Sequence, residues 1–113
     1  MSPDHATVVE MVVASRNIAT FIAGPTWDDF EADLKTQSAV QHQLIVLGEA
    51  AKRLSGEFRG RHNGVEWREV AGLRDVLTHA YHRVSLLHVW EVATEDVPGL
   101  LAYLEPLLSE DDG

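Results

Sequence analysis

Apolar residues recur at helical spacing along almost the whole chain. The first series follows Ser2-Pro3-Asp4, which suits a helix N-terminus because it supplies a capping hydroxyl, a proline for the first turn and an acid near the positive end of the helix dipole. Its apolar stripe comprises Val8, Val12, Ile18 and Phe21/Ile22. Gly24-Pro25 ends this helix, and Thr26 with Asp29 predicts a short capped turn around residues 27–33.

Two further series predict the middle of the fold. A second long helix should begin near residues 35–38 and end at Ser55-Gly56, with an apolar stripe made of Val40, Leu44, Leu47, Ala51 and Leu54. Residues 59–65 contain two glycines and no apolar period, which predicts a loop. A third helix should then run from about Glu66 to Tyr81.

The last apolar series predicts a fourth helix with an interruption. Ser85 is suited to cap it, and the series continues to Leu108. Pro98 lies inside the series and should kink or split the helix, with Asp96 as a possible internal cap. No alternating strand pattern and no internal repeat interrupts these helices. We therefore predict a single all-α domain over residues 1–113, a four-helix bundle with a short extra turn and a kinked last helix.

Composition limits the function classes. The 113 residues include no cysteine, which excludes a disulfide scaffold and a thiolate nucleophile. No apolar run reaches the roughly 18–20 residues of a membrane span, and no signal peptide is recognisable, so we expect a cytoplasmic protein without a membrane partner. The formal net charge of −9 disfavours nonspecific coating of nucleic acid.

The negative charge is not evenly distributed. Between Lys52 and Arg83 there are seven cations and four acids, so the third helix and its approach are basic while the rest of the chain is strongly acidic. Any contact with nucleic acid should therefore be local and centred on the third helix.

A metal or cofactor site is not expected. A di-iron bundle needs Glu-x-x-His on two helices, and no glutamate of this chain has a histidine three residues later. There is no glycine-rich phosphate loop. We therefore predict neither a metal nor a cofactor.

The third helix carries the candidate chemistry in residues 73–83. Considered alone, its pattern favours an amphipathic helix with a solvated polar face. Arg74 and Tyr81 are seven residues apart and share a face, whereas Arg74 and His79 differ by about 140° and about 7.5 Å of rise. If the arginine and the histidine act together, two copies of this helix meeting across a two-fold axis would bring them into one cleft.

Several segments resemble one protein family in order along the chain. Arg74, four residues, His79, one residue and Tyr81 are similar to the signature of the HepT-like branch of the HEPN (higher eukaryotes and prokaryotes nucleotide-binding) ribonucleases. The resemblance extends to the segments 35–40, 47–54, 67–74, 89–91 and 95–98. It therefore covers nearly the whole chain.

The resemblance implies an endoribonuclease toxin of a toxin–antitoxin pair. Arg74 and His79 would cleave RNA without metal in a homodimer cleft. Tyr81 would accept AMP from a minimal nucleotidyltransferase antitoxin, and this modification would silence the enzyme. A histidine titrates near pH 6.5 and an arginine can grip two phosphate oxygens, so the residue types suit cleavage that leaves a 2′,3′-cyclic phosphate. The dimer could assemble further with the antitoxin.

Three features of the sequence support or modify this expectation. Asp75 stands where relatives often carry Asn, so it could orient Arg74 or repel a phosphate. Glu49 could assist Arg74 from the second helix, or simply pair with Arg53 one turn later. His82-Arg83 replaces the aromatic residue and glycine that often follow the tyrosine, which makes its surroundings more basic.

Two other function classes remain open on the sequence. The chain could be a non-catalytic HEPN-type binding module that regulates a nucleotidyltransferase, or a helical dimer with no role in nucleic-acid chemistry. The intact pair of Arg74 and His79 favours the enzyme.

Overall fold

The structure is a computed structural model that describes residues 2–79 and 85–109, without the side chain of His79. All regular structure in these residues is helical, as the sequence predicts. The helices are α1 (Pro3–Phe21), α2 (Trp27–Glu31), α3 (Leu34–Arg53), α4 (Gly56–Arg61), α5 (Trp67–His79), α6 (Leu86–Glu91) and α7 (Val97–Leu104). A π-helical segment, Val92–Asp96, joins α6 to α7, and a 3₁₀ turn, Glu105–Ser109, follows α7.

Side chains cap several of these helices where the sequence predicts it. The hydroxyl of Ser2 accepts a hydrogen bond from the backbone N–H of His5 at 3.1 Å, and Ser85 likewise accepts from His88 at 3.4 Å. Thr26 and Asp29 form a reciprocal capping box with distances of 3.2 and 3.0 Å. Each cap satisfies backbone donors that have no partner within the helix.

The core lies between α1 and α3, with the last helices closing one side. Its fully buried large side chains include Met11, Ile18, Phe30, Leu44, Leu47 and Leu104. Phe30 brings the short α2 into this core, and its ring centroid lies 4.9 Å from that of Trp90. Trp67 is also buried, and Trp90 is partly buried against the core.

The boundaries around α3 and α4 differ from the prediction. α3 begins at Leu34 because Asp33 accepts a hydrogen bond from the backbone N–H of Thr36 at 3.2 Å. Ser55 does not only follow α3: its hydroxyl accepts from Phe58 N–H at 3.0 Å and starts α4. The prediction of a loop over residues 59–65 is therefore wrong for residues 59–61. Phe58 is buried and draws this glycine-containing turn onto the core.

The interruption of the last helix is confirmed, but Asp96 does not cap it with its side chain. Pro98 lies in the first turn of α7, where its missing N–H has no helical partner to lose. The π-helical segment directly before α7 accommodates the interruption of the regular helical hydrogen bonds.

α5 packs against α3, and this contact positions the candidate chemistry. The helix begins at Trp67, close to the predicted start, and the described residues end at His79. Residues 80–84 and 110–113, with Tyr81 and the predicted acidic tail, lie outside the described residues. No helix among the described residues is both long enough and apolar enough to cross a membrane.

Candidate active site

Arg74 lies where α5 comes closest to α3, and a glycine makes that approach possible. A Cβ atom built on Gly48 of α3 would lie 2.5 Å from the Cβ and 2.7 Å from the backbone nitrogen of Arg74. Any side chain at position 48 would push the two helices apart. The backbone of Arg74 is therefore fixed against α3 before its side chain makes any contact.

Two carboxylates orient the guanidinium of Arg74. Its Nε donates to Oε1 of Glu49 on α3, and its Nη1 donates to Oδ1 of Asp75 at 3.2 Å. The hydrogen bond to Glu49, and then that to Asp75, raises the pKa of Arg74 above its usual value. The side chain therefore stays positively charged. The alternative pairing of Glu49 with Arg53 is not observed; Arg53 instead donates to Glu10 of α1.

Lys52 joins the same cluster from α3. Its Nζ donates to Oδ1 of Asp75 at 2.6 Å, so one carboxylate oxygen meets both Lys52 and Arg74. The hydrogen bond from Lys52, and then that from Arg74, lowers the pKa of Asp75 below its usual value. Asp75 thus points toward Arg74 and Lys52. This position fits a role in orienting Arg74 better than a role in repelling a phosphate.

The cluster formed by Glu49, Lys52, Arg74 and Asp75 remains accessible. The side chain of Arg74 is 29% exposed, and that of Asp75 is 50% exposed. The two cations and two carboxylates cancel in formal charge. The cluster can therefore hold an arginine in a defined orientation, but it does not by itself create a positive potential.

The structure gives only the backbone position of the candidate histidine. His79 is the last residue of α5, five positions after Arg74. Its side chain is not described, and Tyr81 lies outside the described residues. The roles predicted for His79 and Tyr81 therefore stay predictions.

Two residues of this site are missing from the sequence interpretation. Gly48 does not stand out in the sequence. A glycine inside a helix usually indicates close backbone packing, which would point to Gly72 of α5. That expectation is wrong, because a Cβ on Gly72 would have nothing within 4 Å. Lys52 follows Glu49 by three residues on α3. This spacing places both on one helix face and could have indicated that both contact the same neighbouring helix.

An open apolar groove lies on the other side of α5, toward α6 and α7. It has a volume of about 840 Å³. Its apolar walls include Val70, Leu73 and Val76 of α5 and Val89, Val97 and Leu100 of the last helices. Val76 is 47% exposed there, which is unusual for a valine in a helix-packing position.

The remaining histidines with a described environment have structural or solvent-exposed positions. His62 stacks on Phe58 with ring centroids 4.4 Å apart and shares a 3.0 Å hydrogen bond with the hydroxyl of Tyr103. His42 and His88 are exposed. Within residues 2–79 and 85–109, no three His, Asp or Glu side chains are grouped as metal ligands would be.

Comparison with known proteins decides the family. The family described as "Ribonuclease HepT-like" matches residues 11–107, which is most of the chain and includes the whole cluster around Arg74. The chain belongs to the HepT-like ribonuclease family. The resemblance drawn from the sequence segments is thereby confirmed, as is the all-α HEPN-like fold.

Curated relatives of this HepT-like protein agree with the assignment. "Probable ribonuclease HepT" of Thermococcus cleftensis is 36% identical over 108 residues, which cover 95% of this chain and 98% of that protein. A protein of Caldanaerobacter subterraneus that is named as an RNase is 34% identical over 80% of both chains. Another, from Methanocaldococcus jannaschii, is 32% identical over 96% of this chain and 90% of its own. No solved structure matches.

Proposed function

We propose that this HepT-like protein is a metal-independent endoribonuclease whose reaction uses Arg74 and His79. Membership of a ribonuclease family supports RNA cleavage in general. The observation that carries the proposed site is the fixed position of Arg74. Its backbone is held against Gly48, and its guanidinium is held by Glu49 and Asp75. A side chain that only served solubility would not need this support.

The two residue types can complete the reaction without a metal. A histidine takes the proton from the 2′-hydroxyl, whose oxygen attacks the adjacent phosphorus, and the bond to the 5′-oxygen breaks. The leaving 5′-oxygen takes a proton from water and the imidazolium returns its proton to solvent, so the products are a 2′,3′-cyclic phosphate and a 5′-hydroxyl. The guanidinium of Arg74 neutralises charge that develops on the non-bridging oxygens, a role suited to a planar, permanently charged donor.

The active form we propose is a homodimer in which α5 of each copy contributes to one cleft. On a single straight helix, Arg74 and His79 differ by about 140° in direction, so they do not easily meet on the same phosphate. The exposed Val76 and the open apolar groove beside α5 support the idea that a second copy covers this face.

We further propose that the enzyme is the toxin of a toxin–antitoxin pair and that a minimal nucleotidyltransferase transfers AMP to Tyr81. Seven residues separate Tyr81 from Arg74, so on a continuing helix both would share a face. An AMP group there would place an anion beside the arginine and block the cleft. The complex with the antitoxin could be larger than one dimer with one partner.

Growth provides the first test of the biological part. Expression of the wild-type chain alone should arrest growth, and His79→Ala should relieve the arrest. His42→Ala is the matched control because His42 is exposed on α3 and lines neither the apolar groove nor the Arg74 cluster. Arrest that persists in His79→Ala would contradict an enzymatic toxin and favour a non-catalytic binding module.

Mass spectrometry tests the modification separately. Incubation with ATP and a minimal nucleotidyltransferase of the proposed antitoxin type should add one or more AMP units. Tyr81→Phe should abolish the gain in mass, while Tyr103→Phe should keep it because Tyr103 is engaged with His62. Full modification of Tyr81→Phe would exclude Tyr81 as the acceptor.

A further inference from the structure

A second basic feature lies beside the Arg74 cluster and has no part in the mechanism above. It is a notch of about 640 Å³ between α4 and α5, referred to below as the α4–α5 notch. Arg59 of α4 and Arg68 of α5 line it together with Asp75, and the rest of its lining consists only of small residues: Gly56, Gly60, Ala71 and Gly72.

The two arginines of the notch lack protein partners. Within residues 2–79 and 85–109, the side chains of Arg59 and Arg68 make no hydrogen bond and no ion pair. Arg16 and Arg53, by contrast, are paired with glutamates. The one acid of the notch, Asp75, is already engaged by Lys52 and Arg74. The notch therefore offers uncompensated positive charge.

The notch has space for an anion at its base. Cβ atoms built on Gly56, Gly60 and Gly72 would have nothing within 4 Å, so the glycines leave the backbone surface open. Arg68 and Asp75 are seven residues apart on α5, which places them on one face with about 10 Å of rise between them. The notch thus begins at the Arg74 cluster and extends along α5 toward its N-terminal end.

Charge balance explains why such a site would be needed. The cluster of Glu49, Lys52, Arg74 and Asp75 has no net formal charge, and the whole chain carries −9. A polyanion such as RNA would gain little attraction from that cluster alone. Arg59 and Arg68 supply the missing local cations next to it, and arginine is the side chain best suited to grip phosphate oxygens.

We propose that Arg59 and Arg68 form a phosphate-binding subsite for the RNA substrate, which holds a backbone phosphate beside the scissile one. This inference rests on the proposed ribonuclease function, since it places the second phosphate relative to Arg74. The subsite binds the backbone and carries no base contact, so it sets affinity and register and does not select sequence.

Equilibrium binding tests the subsite independently of cleavage. A fluorescein-labelled single-stranded RNA is titrated into the His79→Ala protein and into the same protein with Arg59→Gln, Arg68→Gln or both. Each single change should weaken binding roughly three- to tenfold. The logarithm of the association constant falls linearly with the logarithm of the salt concentration. Each single change should reduce the magnitude of this slope by about 0.7, and the double change by about 1.4, as expected for lost contacts to single-stranded phosphates.

Arg61→Gln is the matched control. Arg61 is an arginine of the same short helix, two residues after Arg59, and is exposed but does not line the notch. Its replacement should leave the affinity within about twofold and the salt slope unchanged. Arg59→Lys and Arg68→Lys keep the charge and should retain most of the slope. In active protein, the glutamine changes should raise KM more than they lower kcat.

The outcomes separate the subsite from the nuclease. RNA binding that depends on Arg59 and Arg68 without any cleavage by the wild type supports the subsite and contradicts the proposed function. Cleavage with wild-type affinity and salt slope in the double variant overturns the subsite and leaves the nuclease in place. If that double variant instead loses modification by the nucleotidyltransferase, the notch is a protein-contact surface and the RNA subsite is overturned.

Discussion

Gly48 and Arg74 meet at the closest approach of α3 and α5, and the glycine is what allows Arg74 to reach Glu49. A Cβ atom at position 48 would lie 2.5 Å from the Cβ of Arg74, a distance that side chains in folded proteins do not tolerate. The candidate active site thus depends on the absence of a side chain one residue before the glutamate that binds the arginine.

Gly48→Ala should disturb both stability and activity. The added methyl group must push α5 away from α3, and overpacking of this kind costs about 1–3 kcal/mol. The displacement also moves Arg74 from Glu49, so RNA cleavage should fall more than stability alone explains. Thermal or urea unfolding and a cleavage assay at a temperature where the variant is folded measure the two effects.

Gly72→Ala provides the comparison for stability. Gly72 lies within α5, and a Cβ there meets nothing within 4 Å. Alanine is preferred over glycine inside a helix by about 1 kcal/mol, so this variant should be as stable as the wild type or more so. Equal destabilisation by both substitutions would contradict the close approach at Gly48.

Glu49→Gln should lower kcat with little change in the folded population. The neutral amide cannot fix the guanidinium of Arg74 by a charge-assisted hydrogen bond, so the arginine samples other orientations. We expect kcat to fall by roughly tenfold, since about 1.4 kcal/mol of transition-state stabilisation corresponds to that factor. Glu10→Gln removes the comparable partner of Arg53 and should leave kcat unchanged. Equal kcat in both variants would exclude a positioning role for Glu49.

A mixture of two inactive variants should recover activity if the site is composite. Arg74→Ala and His79→Ala are unfolded together, mixed in equal amounts and refolded. Half of the dimers are then heterodimers. Their shared cleft retains one of the two pairs that combine Arg74 of one copy with His79 of the other, so about a quarter of wild-type activity should return. A mixture as inactive as its components would show that Arg74 and His79 act from the same chain.

The contribution of Asp33 to stability should depend on pH in a defined direction. Hydrogen bonds from Thr36, the side-chain hydroxyl first and the backbone N–H next, lower the pKa of Asp33 below its usual value of 3.8. Because the folded state then binds the proton less readily than the unfolded state, the stabilisation is complete above the unfolded pKa and is lost as the pH falls through the folded one.

Asp33→Ala therefore should lower the melting temperature near neutral pH, where the cap of α3 is intact. The difference from the wild type should narrow as the pH falls below about 4. Melting curves recorded across that range by circular dichroism measure it. A difference in melting temperature that stays constant below about pH 4 would mean that protonation of the Asp33 carboxylate does not weaken the cap.

The helices were predictable where apolar period and capping residues agree. Ser2, Ser85 and the pair of Thr26 and Asp29 act as caps where the local sequence indicates them. α4 was missed because its glycines suggest a loop, and only the burial of Phe58 in the tertiary core outweighs that local preference.

The candidate site was predictable in its residue types and not in its contacts. The sequence singles out Arg74, Asp75 and Glu49, yet it cannot show which cation Glu49 meets, because Arg53 lies one turn away on the same helix and Arg74 comes from another. Helix-to-helix distance decides that choice. The same reason hides Gly48 and Lys52, which matter only once α3 and α5 are in contact.

Cleavage of RNA in the presence of EDTA tests the central claim most directly. The purified wild-type protein should cut single-stranded RNA with undiminished rate in EDTA and leave 2′,3′-cyclic phosphate ends. His79→Ala and Arg74→Ala should each lose the activity, and His42→Ala should keep it. Loss of cleavage in EDTA, or full cleavage by His79→Ala, would contradict the metal-independent reaction at Arg74 and His79.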